Sequence, residues 1–535
     1  MTSTATVVDP QSHCSINAKL YRDASGGHWS FMLNLTDISY GTYGNNKFYM
    51  GQLIVDCGVF VVFRKWGRVG ATSPQSQSER FDTLENAERA FQKVFRAKTG
   101  NNWPLIDPFI RKKGKYFLVE LDDGECRGAT GGVEEKVEKM EQVASKLPTE
   151  VQNIVRLICD PEVVTRDMVS LNVDLKRFPL GKLSKAQISQ GYSILQRLSD
   201  ALDEIEELTK TPAVPAMAAK AGSNSRRRGK AKAKGPNAAT RRSLSSLKTD
   251  LKELSSEFYS LIPHDFGRSL PPVIATMTDL KLKLELLEVL SNLEISQMLQ
   301  KQDAERPMGL AIHPLDTHYN MLNTNMKPLS KREKEFKIIE KFINKTNGGS
   351  KLKINTILKI ARPEEDTHKT VLISLDNHKL LWHGSRLSNF VGILSQGLRI
   401  APPEAPMNGY QFGKGLYFAD ALAKSANYCC TTSQNPTAVL LLADVALGTP
   451  YQTTTGEFLD YTMVKDQHGC DSTHGLGRMA PAENEFETLP DGVVVPAGTL
   501  KPVSGHQYLL YNEFIVYRRE QIQLRYLVAL DYLKA

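Results

Sequence analysis

Hydrophobic spacing changes character along this 535-residue chain, and each change predicts a different kind of unit. Over 25–125, short apolar runs at 31–35, 48–55 and 59–64 read as strands, a helical repeat follows at 84–98, and another strand-like run covers 116–121. This pattern predicts a small α+β unit. Over 147–305 the spacing turns helical: Ser184 with Gln187 forms a capping box, and Ile188, Tyr192, Leu195, Leu198, Leu202, Ile205 and Leu208 recur at three- and four-residue steps. A second helix is predicted over 279–299, with Leu280, Leu284, Leu287 and Leu290 on its apolar face. From 313 to 535 the pattern breaks into apolar runs at 370–375, 438–447, 512–517 and 523–530 between Gly/Pro-rich loops, which predicts a mixed, mostly antiparallel β domain with few helices. The predicted fold class is multidomain α+β. Residues 1–24 show no pattern and are expected to be disordered, and the charged stretch 126–146 is expected to be a linker.

Composition changes this picture in one place. The formal net charge is +8, yet residues 210–249 hold eleven Lys or Arg and no acid, leaving 56 of the 67 basic residues against 59 acidic ones elsewhere. That Ala/Pro/Gly/Ser-rich segment is expected to be a disordered loop inserted between two helices, because it has too little apolar surface to fold. Its basic tract fits a nuclear localisation signal, an auxiliary nucleic-acid arm or a solubilising loop, the first leading. At 41% hydrophobic residues the remainder can form packed cores. The most apolar run, 438–447, contains Asp444 and is too short to cross a bilayer, and the N-terminus has no basic-then-apolar leader, so no membrane association is expected. Seven cysteines form no C-x-x-C pair and lie at no zinc-finger spacing with histidine, so no metal site is expected and a reducing compartment fits.

Candidate chemistry lies in the C-terminal third. His383-Gly384-Ser385, the Gly-rich run from Phe412 to Asp420 containing Tyr417, the run from Lys424 to Tyr428, and Tyr511-Asn512-Glu513 lie too far apart to share one helix face, so only a sheet-rich fold can gather them. Each motif alone is weak, since FGKG can be a plain turn and Tyr417 or Glu513 alone reads as an ordinary strand residue. No G-x-S-x-G elbow accompanies His383 and Ser385, which argues against a Ser–His hydrolase.

Taken in order, these motifs resemble the catalytic domain of the poly(ADP-ribose) polymerases: an H-Y-E triad at His383, Tyr417 and Glu513, with HGS, FGKGxYFAD, KSANY and YNE around it. The segment 397–415, GLRIAPPEAPMNGYQFGKG, resembles the DNA-dependent members; Trp66-Gly67-Arg68 resembles a WGR domain, and Ile262 to Gly267 resembles part of the helical regulatory domain of those enzymes. The resemblance implies a WGR domain over 25–125, a regulatory domain over 147–305 carrying the basic insert, and a catalytic domain over 313–535 of the ADP-ribosyltransferase fold shared with diphtheria toxin.

It also implies a reaction. NAD⁺ would be the substrate, and nicotinamide leaves as a neutral molecule from a cationic pyridinium, so no general acid is needed. The protein must hold the carboxamide and stabilise an oxocarbenium-like ribose, for which a carboxylate is the natural group. By resemblance, Glu513 bonds the ribose 2′-OH and polarises the acceptor hydroxyl, His383 binds the adenine-side ribose, and Tyr417 packs on the nicotinamide. Gly384 and Ser425 would bind the carboxamide and Tyr428 would stack, with Ser385, Gly392 and Arg399 also contacting NAD⁺. Residues 401–412 would cover the donor, and Lys424 and Gln411 would lie on the acceptor side. Gln411 departs from the apolar residue expected there, so polymer length or branching is open. DNA sensing would fall to Asn46, Lys47, Trp66 and Arg68, reading broken ends or nicks. Protein acceptors would include the chain itself and histones, an accessory ADP-ribosylation factor is a candidate partner, and the expected location is the nucleus. Leu198→Pro, by loosening the helical domain, is expected to give DNA-independent activity. A mono-ADP-ribosyltransferase and a catalytically inactive DNA-end-binding scaffold remain alternatives.

Overall fold

The computed structural model describes residues 7–42, 44–119, 144–171, 173, 183–210, 238–304, 313–406, 410–505 and 507–533. The first strands are β1 (Lys19–Leu20), β2 (Ser30–Asp37), β3 (Asn45–Asp56), β4 (Val59–Arg68) and β5 (Gln75–Phe81), followed by α1 (Leu84–Thr99) and β6 (Phe117–Leu118). They form one antiparallel sheet in the order β5-β4-β3-β2-β6, with β1 added on β3. Ala87, Phe91, Phe95 and Thr99 make the buried stripe of α1, and Phe91 and Phe95 meet Trp29, Phe31 and Trp103 at ring-centroid distances of 5.0–5.6 Å. β5, with the sequence QSQSERF, has no apolar alternation to announce it; it is an exposed edge strand held by its ladder to β4.

Five helices follow: α2 (Thr149–Ile158), α3 (Pro161–Ser170), α4 (Lys185–Lys210), α5 (Ala238–Leu261) and α6 (Met277–Ala304). The capping box at the start of α4 is half made: the Gln187 amide donates to Ser184 Oγ at 3.2 Å, while the Gln187 side chain donates to the Leu118 carbonyl instead.

The C-terminal part runs through α7 (Pro314–Met321), β7 (Asn325–Pro328), α8 (Lys334–Thr346), β8 (Leu352–Ala361), α9 (Lys369–Ser374), β9 (His378–Gly384), α10 (Phe390–Gln396), β10 (Leu416–Phe418), α11 (Leu422–Ala426) and β11 (Thr437–Ala446). It continues with β12 (Pro450–Thr453), β13 (Ser472–Gly475), β14 (Gly477–Pro481), β15 (Glu487–Thr488), β16 (Val494–Val495), β17 (Leu500–Pro502), β18 (Leu509–Tyr511), β19 (Glu513–Val516) and β20 (Ile522–Tyr532). A seven-stranded sheet β15-β16-β9-β11-β20-β8-β7 and a four-stranded sheet β10-β19-β13-β12 make the body, and β17-β14-β18 form a small third sheet. Pairing is antiparallel except for β12–β13, β14–β18 and β9–β16. The central strand β11 is apolar on both faces because both are covered: Leu441 and Ala443 join one core, and Leu440 and Leu442 the other.

The chain divides into two compact units, Met1–Asp123 with Ser184–Leu284, and Gly124–Leu183 with Glu285–Ala535. The predicted helical block is therefore shared. Helices α4 and α5 and the first part of α6 go with the N-terminal sheet; α2, α3 and the rest of α6 go with the large sheets. Val151, Ile154, Val155 and Ile158 of α2 enter the same core as β9–β11 residues, which is the physical reason for the division.

Three sequence expectations need correction. Residues 7–24 of the expected disordered N-terminus are ordered: β1 pairs with β3, Gln52 donates to the Val7 carbonyl at 2.9 Å, and Asp9 accepts from Lys65 at 2.8 Å. The basic insert ends earlier than expected, because 238–249 form the start of α5, whose Leu247, Leu251, Leu254 and Phe258 bury a helical stripe; 211–237 lie outside the described residues. The run 370–375 is helix α9 rather than strand, burying Leu372 and leaving Ile373 exposed. Such short apolar runs carry no period that separates helix from strand. Most of the expected linker, 126–143, also lies outside the described residues; at its end Ser145 Oγ and the Lys146 amide both donate to Asp316.

Candidate active site and nucleic-acid interface

The two large sheets meet at Trp382 and Ala419, which exchange a pair of backbone hydrogen bonds of 2.8 and 3.0 Å. This junction brings His383, the next residue of β9, against β10. His383 Nδ1 lies 3.0 Å from the Tyr417 carbonyl, so the nitrogen must donate, and Nε2 is left as an acceptor. Burial lowers the His383 pKa, which keeps the ring neutral.

Tyr417 pairs with Ile515 across β10–β19. With a strand period of two, Tyr417 and Glu513 share one face of the sheet. The Tyr417 hydroxyl donates to the Gly413 carbonyl at 2.7 Å and accepts from the Phe412 amide at 3.0 Å, and burial raises its pKa well above the usual phenol value. It is thus a neutral, fixed ring. Gly413 is obligatory here: its φ is +80°, and a Cβ would lie 1.7 Å from the Leu459 carbonyl oxygen.

Glu513 opens β19 and is buried, with Lys424 Nζ 3.1 Å from Oε1. The ammonium compensates a carboxylate that would otherwise be costly to keep charged inside the protein. Lys424 and Ser425 come from α11. Ser425 Oγ donates to the Trp382 carbonyl at 3.1 Å, and a Cβ at Gly384 would meet the Ser425 carbonyl oxygen at 1.9 Å, so only glycine lets β9 and α11 approach this closely. Tyr428, just beyond α11, leaves half its surface exposed for stacking.

Ser385, Gly392 and Arg399 also converge, around two residues that the sequence did not single out. Asn389 donates to Ser385 Oγ at 2.9 Å, Asn292 of α6 donates to Asn389 Oδ1 at 3.1 Å, and Arg399 donates to Asn292 Oδ1. A Cβ at Gly392 would fall 2.4 Å from Asn292 Oδ1. Seven residues earlier on α6, Glu285 accepts from Arg386 at 3.2 Å. Asn292 is nearly fully buried, but two residues after Leu290 it turns to the other side of the helix, so the apolar spacing gave no sign of it. Gln411 is half-buried beside Gly456; of the expected covering loop 401–412, residues 407–409 lie outside the described residues.

The four residues expected at DNA have different fates. Trp66 stacks on Tyr49 at 5.7 Å with 14° between the planes and donates to Gln75, so one ring face is already used. Lys47 Nζ lies 5.8 Å from the Tyr116 ring. The Asn46 side chain is buried, accepting from Thr36 and donating to the His264 carbonyl, and the Arg68 guanidinium donates to the Gly267 and Ser269 carbonyls. Both side chains thus fasten the sheet to the segment after α5. A cationic cluster was missed instead: Lys98 sits 4.4 Å over Tyr49 and 5.9 Å from Tyr116, and its pKa is lowered by burial and then by Lys47, Arg64 and Lys115. Spacing could not reveal it, since these cations come from β3, β4, α1 and the turn before β6.

Comparisons with known proteins agree with the motifs. The WGR domain family matches residues 29–109, the poly(ADP-ribose) polymerase regulatory domain 145–319, and the poly(ADP-ribose) polymerase catalytic domain 333–532. "Poly [ADP-ribose] polymerase 2" of Homo sapiens is 35% identical over 540 residues, covering 98% of this chain and 83% of that protein. The Arabidopsis thaliana protein of the same name is 35% identical over 502 residues, 91% of this chain and 71% of that one. "Poly [ADP-ribose] polymerase" of Drosophila melanogaster is 34% identical over 534 residues, and the chain spans about half that protein's length, 48%. With one family's catalytic, regulatory and WGR domains along its length and this similarity to its members, the chain belongs to the poly(ADP-ribose) polymerase family.

Proposed function

We propose that this chain transfers ADP-ribose from NAD⁺ to protein acceptors, itself and histones among them, builds polymer, and is switched on by broken or nicked DNA. The observation that carries the reading is the convergence of His383, Gly384, Tyr417, Ser425 and the Glu513–Lys424 pair at one sheet junction. A neutral His383 with Nε2 as acceptor suits a ribose hydroxyl. The fixed, uncharged Tyr417 ring and the half-exposed Tyr428 ring offer faces to a flat nicotinamide, and the Gly384 backbone with Ser425 offers a donor and an acceptor to its carboxamide. Glu513 would accept from the 2′-OH and grow more favourable as the ribose gains positive charge, which is differential binding of the transition state. Nicotinamide departs with the glycosidic electron pair. The acceptor hydroxyl then attacks the anomeric carbon and loses its proton towards Glu513, with Lys424 steadying the carboxylate and Gln411 lining the acceptor side.

Regulation follows from α6. Asn292 and Glu285 occupy groups that the donor would otherwise engage or lie beside, which supports a closed state whose population falls on DNA binding. DNA would meet Trp66, Lys47 and the Lys98 cluster, and the fastening of Arg68 and Asn46 after α5 would pass the event to the helices. The basic tract supports a nuclear location, and an accessory factor at the acceptor side is compatible with Gln411.

The test is labelled NAD⁺ with full-length protein, with and without nicked 5′-phosphorylated DNA, resolved on a denaturing gel. A DNA-dependent high-mass smear, lost in Glu513→Gln and reduced in Trp66→Ala, is the expected result. A single sharp band would replace polymer formation by mono-ADP-ribosylation, and absence of label with intact DNA binding would leave a scaffold.

A further inference from the structure

Asn512, the residue before Glu513, is held through both atoms of its amide. Nδ2 donates to Asp420 Oδ2 at 2.7 Å, and Oδ1 accepts from the Gly477 backbone amide at 2.8 Å. Asp420 lies two residues past the end of β10, and Gly477 opens β14, so a single buried side chain ties both segments to the first residue of β19. The fit is close: a Cβ at Gly477 would lie 2.2 Å from the Tyr511 carbonyl carbon. The β10–β19 ladder ends at Phe418↔Phe514, and Asp420 and Asn512 lie two residues beyond that pair, where strand alternation carried on would place both on the face opposite Glu513 and Tyr417. Neither residue therefore touches the donor site directly. Asp420 Oδ1 is buried without a hydrogen-bond partner, which is costly in a core and needs a reason beyond packing.

We propose that Asp420 and Asn512 are positioning residues for the transfer reaction. Their hydrogen bond fixes the backbone at 512–513 so that the Glu513 carboxylate stands where positive charge develops on the donor ribose. The inference rests on the reading of Glu513 given above. Lys424 restrains the Glu513 carboxylate directly, while the Asp420–Asn512–Gly477 clamp restrains the backbone before it. Removing the clamp acts on the step in which Glu513 participates, and leaves ground-state NAD⁺ contacts from His383, Gly384 and Ser425 in place.

The direction of the bond supplies the test. Asn512→Asp sets two carboxylates against each other, whereas the swap Asp420→Asn with Asn512→Asp restores it in reverse: Asn at 420 donates, and Asp at 512 accepts from both that amide and Gly477. Nicotinamide release by full-length, DNA-activated protein is measured for each variant, with melting temperature as the folding control. Asn512→Asp is expected to lose about 100-fold in kcat with KM for NAD⁺ within about 3-fold, the scale of a small misplacement of a catalytic group. The swap is expected to recover at least about 10-fold of that loss. In a Glu513→Gln background, Asn512→Asp should cause no further loss, because the clamp acts through Glu513. A swap no more active than Asn512→Asp, or a loss confined to KM, overturns the proposal; if Asn512→Asp fails to fold, Asp420→Ala, read by the same kcat-against-KM split, decides instead. Full turnover by Glu513→Gln alone would instead remove the reading of Glu513 on which the proposal stands.

Discussion

Residue by residue, several buried charges of the C-terminal domain are compensated by their geometry. His378 is the clearest case, with Nδ1 2.8 Å from Asp444 Oδ1 and Nε2 2.9 Å from the Leu375 carbonyl. Both partners accept, so both ring nitrogens must carry protons, and the Asp444 hydrogen bond raises the His378 pKa. Arg525, 3.9 Å from the other Asp444 oxygen and 2.5 Å from Asp491, completes the cluster. A histidine raised in the folded state contributes stability that is fully present below its unfolded pKa of about 6.5 and is lost as pH rises through the folded value. The melting-temperature gap between wild type and His378→Gln should therefore be wider at pH 6 than at pH 9. An equal gap at the two pH values would refute this. His383, in contrast, has one acceptor partner and a pKa lowered by burial, so its ring is neutral.

At the scale of elements, α6 carries the regulatory argument. Its Leu286, Leu287, Val289 and Leu290 are buried, and Asn292 is hydrogen-bonded to Asn389 and Arg399. Proline at 290 removes a helical hydrogen bond and clashes with the preceding turn, at a cost of about 3 kcal/mol or more. Leu290→Pro is accordingly expected to raise activity without DNA by roughly 5–150-fold, the usual range of an allosteric coupling, and to lessen stimulation by DNA. Basal nicotinamide release that stays at the wild-type level in folded Leu290→Pro would exclude α6 as the restraint. Leu198, the position suggested by periodicity alone, lies on α4 in the unit of the N-terminal sheet, so its effect on the donor site would be less direct. The legibility of these elements was uneven. Helix α4 could be read because one apolar period persists over several turns, α6 because it is dense in leucine, and the strands β11 and β20 because their apolar runs are long and bounded by turn-rich loops. Strand β5 and helix α9 could not, because an edge ladder held one without apolar residues and a single buried leucine anchors the other.

For the molecule as a whole, charge location matters more than the net value of +8. Lys47, Arg64, Lys98 and Lys115 stand together around Tyr49 and Tyr116, and their mutual repulsion helps lower the Lys98 pKa. A polyanion would relieve that repulsion. Lys98→Ala should weaken binding to nicked DNA and reduce the slope of log affinity against log salt by about 1, the effect of one lost phosphate contact. An unchanged slope would place the DNA elsewhere. The sequence by itself determined the three-module order, the α+β class and the motifs that hold His383, Tyr417 and Glu513, because local periods and short motifs are written along the chain. Tertiary structure alone decided the rest. It divided the helical block between two units, committed Asn46 and Arg68 to protein carbonyls, placed Asn292 beside Arg399, and set Asp420 under Glu513. The first depends on which core accepts the apolar face of α2, and the others on which donor meets which acceptor across long sequence separations; neither leaves a period in the sequence.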